Sequence, residues 1–95
     1  MKIPEELEIF RHRYTVRKDN KLLMKDDTVG TYCPYVSEIT IDTNAPESKQ
    51  QEAFLHEIIE AINNHLELKL EHKQITGLGT GLFHILSDNK LGFNN

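Results

Sequence analysis

His56-Glu57-Ile58-Ile59-Glu60 is the stretch of this chain best equipped for chemistry. It differs by one residue from H-E-x-x-H, a helical zinc signature. There, two histidines four apart hold the metal from one helix face. The glutamate beside the first activates a water on the metal. In this chain the first His and the Glu stand in place, and Glu60 replaces the second His. A carboxylate also ligates zinc, so His56 and Glu60 are candidate ligands and Glu57 a candidate general base. The bland alternative is an ordinary charged helix face in a chain with 27% charged residues. Glu60 could also partner His56 and fix its tautomer with no metal at all.

The surrounding elements must present these groups. From Glu8 to Lys18, Phe10, His12, Tyr14 and Val16 fall on one alternate set and Arg11, Arg13 and Arg17 on the other, which predicts a half-buried strand. Asp19-Asn20 signals a turn, and Lys21 to Thr28 reads as a short strand or an irregular loop. Ser37 to Asp42 alternates Ile39 and Ile41 with polar residues, and pairs with Thr31 to Cys33 across Pro34-Tyr35-Val36. Pro46 followed by Glu47 starts a helix running to about Leu66. On it, Ala53, Phe54, Ile58, Ala61 and Ile62 form the apolar stripe, and His56, Glu60 and Asn63 a second stripe. A second helix spans about Glu71 to Leu86, with Ile75, Leu78, Leu82, Ile85 and Leu86 as its apolar stripe. Strands followed by two helices predict an α+β domain, a small antiparallel sheet of about three strands under a helical hairpin.

Composition bounds the rest. Ninety-five residues, 38% hydrophobic, make one domain (1–95), with a core at about 9–89 and a loose tail from Lys90 to Asn95. The net charge of −4 gives no nucleic-acid footprint, and the early Arg and Lys residues read as a solvated strand face. One cysteine, Cys33, precludes an intrachain disulfide and fits a reducing compartment. No run reaches the ~18 apolar residues of a membrane span. The acidic start MKIPEELEIF lacks the apolar region of a secretory signal, so a cytoplasmic location is expected. Cys33 reads as an inert thiol, or as a soft ligand should its turn fold toward His56. Gly77, Gly79 and Gly81 read as small residues permitting close helix packing, because GLGTG lacks the Lys-Ser/Thr of a phosphate loop.

This layout resembles the smallest gluzincin-like metallopeptidases, nearest to ImmA/IrrE-type proteins of phages and mobile elements and their shortened relatives. Gly30, Ile39, Ile41, Asp42, His56-Glu57, Glu60-Ala61-Ile62-Asn63, Leu68, Leu70-Glu71-His72, Ile75, Leu78, Leu82, Leu86 and Asp88-Asn89 carry the resemblance, over roughly residues 9 to 89. It implies a minimal zincin-like fold and zinc held by His56, Glu60 and a third ligand from the following helix. It implies Glu57 as base and a protein segment bound by strand addition beside the cleft, at Ser37 to Asp42. The alternative on the same fold is a catalytically inactive adaptor that binds a host or phage protein.

The third ligand has two candidates. In a simple hairpin turning near residues 67 to 71, facing positions sum to roughly 138, so His56 and Glu60 face Leu78 to Leu82, which offers no ligand. His84 is about one turn away and is the candidate from this geometry. His72 is the candidate from the resemblance. In the simple hairpin it lies beside His65, about 14 Å from His56 at the ~1.5 Å rise of a helix, and a kinked connector would have to bring it in.

Overall fold

A computed structural model describes residues 2–22 and 28–92. The strand expected from Glu8 to Lys18 is two strands. β1 (Glu6–Ile9) and β2 (His12–Asp19) pair antiparallel, with Ile9 opposite His12. Phe10 and Arg11 form the two-residue turn between them, with φ of 50° and 69°. Such left-handed pairs suit the twist of a tight hairpin but usually recruit Asn or Gly. Neither is present, so the turn carries no sequence signal. From His12 on the alternation holds: Tyr14 and Val16 are buried. Arg13 pairs across the hairpin with Glu6 and Glu8, and Arg17 with Glu38, so the basic strand face is solvated and neutralised.

β3 (Gly30–Cys33) and β4 (Glu38–Asp42) form the expected antiparallel pair, with Cys33 opposite Glu38. β4 also runs parallel to β2, with Val16 opposite Ile39. The sheet therefore has four strands in the order β1-β2-β4-β3 and is mixed, rather than three-stranded and antiparallel. Ile39 and Ile41 are essentially sealed from solvent, as befits an interior strand. One expectation falls with this topology. Glu38–Asp42 is paired on both sides and offers no edge for strand addition; the unpaired edge beside the helices belongs, among the described residues, to β3. Most of the Lys21–Thr28 segment lies outside the described residues.

Helix α1 (Glu47–Leu66) has the predicted bounds and follows Pro46. Asn44 donates its backbone N–H to Asp42 Oδ1 at 2.8 Å, and Gln50 donates its side-chain amide to the Ala45 carbonyl at 2.8 Å, which fixes the entry. Phe54 and Ala61 bury against Tyr14, Val16, Ile39, Ile41 and Ile9. Each large apolar side chain in this set contributes roughly 1.5–3 kcal/mol.

Helix α2 (His72–Asp88) packs on α1. Of its predicted stripe only Ile75 is buried; Leu78, Leu82 and Ile85 are 54%, 39% and 58% exposed. One packing partner covers one narrow strip of a helix, and Gly79 shares that strip with Ile75. Among the described residues no helix is long and apolar enough to cross a membrane.

Candidate metal centre

The connector between the helices decides where the third histidine goes. Glu67 and Lys69 both take positive φ, 51° and 60°. Asn63 anchors the reversal. Its backbone carbonyl accepts the Leu68 N–H at 3.2 Å, and its side-chain oxygen accepts the Leu70 N–H at 2.9 Å. A capping box then starts α2: Glu71 accepts the Gln74 backbone N–H, and Gln74 Oε1 accepts the Glu71 N–H at 2.8 Å. The connector thus folds back instead of extending the hairpin. Thr80 donates to Glu52 at 2.6 Å, and Gly79 lies against the His56 backbone. These facing pairs sum to 132 and 135, not 138, and the slip draws the start of α2 toward His56 and Glu60.

The result is a cluster of three donors. One ligand atom each from His56, Glu60 and His72 lies within 4.8 Å of the others. His56 and His72 have ring centroids 5.3 Å apart, and His56 Nε2 is 3.6 Å from Glu60 Oε2. His84 is exposed, beside Phe83, and is not in this group. His65, expected to face His72, instead bonds Tyr14 Oη through Nε2 at 3.3 Å and stacks on His12. Cys33 is an exposed free thiol at the end of β3.

The donor set suits zinc. Ligand distances of about 2.1 Å in a tetrahedral site put neighbouring donors roughly 3.4 Å apart. The His56–Glu60 separation already matches, and rotation of the exposed His72 side chain would close the rest. Two imidazoles and one carboxylate would leave a fourth position open, as catalytic zinc sites do. The Thr76 hydroxyl, one turn after His72, is 3.5 Å from His72 Nε2. Sequence reasoning missed this group, although the four-residue spacing could have shown it.

Glu57 stands between this cluster and the sheet. It is 7% exposed. Burial, and secondarily the charge of Glu60, push its carboxyl up to about 7 from an ordinary 4.5. Gly30 makes the room: a Cβ there would lie 3.2 Å from Glu57 Oε2 and 3.3 Å from the Ala53 Cβ. His56 and Glu57 open on a cleft lined also by Val29, Gly30, Glu52 and Thr76, among others. Thr28 to Gly30, leading into β3, therefore form one wall, and residues of the two helices form the other. No protein-family model, curated protein or solved structure matches this chain.

Proposed function

We propose that this chain is a small zinc-dependent peptidase-like domain of phage or mobile-element type, acting on a protein segment laid along β3. The observation that carries this reading is the convergence of His56, Glu60 and His72 beside the buried carboxyl of Glu57. The packing of α2 on α1 sets His72 beside His56 and Glu60, which supports a metal site over an incidental charged face. His56, Glu60 and His72 would hold the metal. When bound, zinc supplies a Lewis acid that polarises a peptide carbonyl and makes water a stronger acid. Glu57 takes a proton from the attacking water and delivers it to the leaving amine nitrogen as the C–N bond breaks. The buried position of Glu57 beside the cluster suits a group that carries the proton between the two. The edge of β3, unpaired among the described residues and meeting the cleft at Gly30, supports binding an extended segment by main-chain hydrogen bonds.

The same edge also favours a second reading, an adaptor that captures a protein segment without cutting it. Metal content separates the two readings. Untagged protein is expected to hold stoichiometric zinc that His56→Ala loses, and Glu57→Gln should keep zinc while losing peptide hydrolysis. No zinc, and no stabilisation by added zinc, would leave the adaptor.

A further inference from the structure

We infer that Lys49 gives the cleft a carboxylate subsite, so that the segment it takes carries an acidic group about three residues from the peptide bond at His56 and Glu57. The inference rests on the peptidase reading above and narrows its substrate class. Lys49, Glu52, Ala53, His56 and Glu57 follow one another at the three- and four-residue steps of a single face of α1, and all of them line the cleft. The metal donors of α1 stand toward one end of this stripe and Lys49 at the other. Lys49 lies two helical turns before His56, about 10 Å at the ~1.5 Å rise of a helix. An extended chain covers that span in about three residues, at ~3.3 Å each. Thr28 and Val29 form the facing wall, just ahead of β3. A segment paired with β3 that continues past Gly30 therefore passes Lys49.

The surroundings of Lys49 leave its charge for a ligand. Apart from His56, it is the cleft's basic side chain among the described residues. It forms no ion pair with another described residue. The carboxylate one turn away, Glu52, is already engaged, because Thr80 donates to its Oε2 at 2.6 Å and joins the two helices there. The position is also an unfavourable one for a lysine. α1 begins at Glu47, and a cation in the first turn opposes the helix dipole. An anion arriving at that end of the cleft meets the ammonium and the dipole together. Thr76 and Thr80, on the wall supplied by α2, add hydroxyls and no charge. In an unmodified polypeptide the anion is a carboxylate, either an Asp or Glu side chain or the free end of the chain. Lys49 is exposed, so the pair selects among segments more than it holds them.

The test gives the zinc-loaded full chain a positional-scanning peptide library and reads the cleavage sites by mass spectrometry. Asp or Glu is expected to be enriched roughly fivefold at about the third residue on one side of the cleaved bond. High salt should flatten that preference. Lys49→Glu should hold the same zinc while the preference reverses to Lys and Arg, and Lys49→Gln should lose it without gaining another. Amidated peptides assign the source: a preference that disappears belongs to the chain end, and one that stays belongs to a side chain. Cleavage with no acidic preference would overturn the inference and leave the peptidase reading standing. So would an acidic preference that Lys49→Glu leaves in place. A chain that holds no zinc, or that holds zinc and cuts no peptide, would remove the peptidase reading and the inference with it.

Discussion

Glu57→Gln should make the metal-free protein more stable, and only at the alkaline end. The carboxyl is raised from 4.5 to about 7, first by burial and then by Glu60. A raised carboxyl means that the folded chain holds this proton where the unfolded chain has lost it. The resulting stabilisation is full below about pH 4.5 and is lost as pH rises through about 7. Above that, folding must carry a buried carboxylate. At about 1.4 kcal/mol per tenfold change in proton affinity, the penalty is on the order of 3 kcal/mol. Gln matches Glu in shape, fits the same space against Gly30, and does not titrate. Urea unfolding in the presence of a chelator measures both forms. At about pH 8 the variant should exceed the parent by up to ~3 kcal/mol, and at about pH 4.5 the two should nearly coincide. Other titrating groups cancel in the difference. Added zinc should narrow the gap, because a cation beside the carboxyl favours its charged form. Equal stabilities at both pH values without metal would refute the reasoning, since Glu57 would then be titrating like a solvated acid.

His72→Ala should abolish stoichiometric zinc binding measured by calorimetry, whereas His84→Ala should leave it unchanged, because His72 and not His84 reaches His56 and Glu60. Gly79→Ala puts a Cβ 3.3 Å from the His56 Cα, where backbone cannot yield, and should cost about 1–3 kcal/mol in denaturant unfolding. Gly77→Ala meets nothing and should stabilise by up to ~1 kcal/mol in the same assay. Asn63→Ala removes the acceptor for the Leu70 N–H and should cost about 0.5–1.5 kcal/mol, with a larger loss of zinc affinity than of stability as the connector relaxes.

Long periodic segments were legible in the sequence. The helical spacing around Phe54 and Ala61 read as α1, and both are buried, although Leu55 and Ile59, outside the expected stripe, are buried too while Ala53, Ile58 and Ile62 are only half-buried. The strand alternation at Ile39 and Ile41 held for the same reason. Two things could not be read. The Phe10–Arg11 turn is made by residues with no turn preference, held there by pairing on both sides. The placement of His72 depends on left-handed backbone at Glu67 and Lys69, neither a residue that advertises it. The resemblance named His72 where counting along a straight hairpin did not. Asn63 was noted only as part of a helix stripe, yet its side chain sets the connector. The partner of the β2 edge was likewise invisible, because parallel pairing of β2 with β4 joins segments separated by about twenty residues of weak pattern.

The fold-back at Asn63 divides the donors between two bodies of unequal anchorage. His56 and Glu60 stand on a helix fastened to the sheet, while His72 opens a helix that packs mainly on α1. Segments with few buried contacts open on their own, at a fraction of the global unfolding energy. Any ion spanning His56 and His72 would then fasten one unit to the other and close that local opening. Occupancy of such a site and the docking of the last helix would then be a single equilibrium, and amide exchange along α2 would report on both.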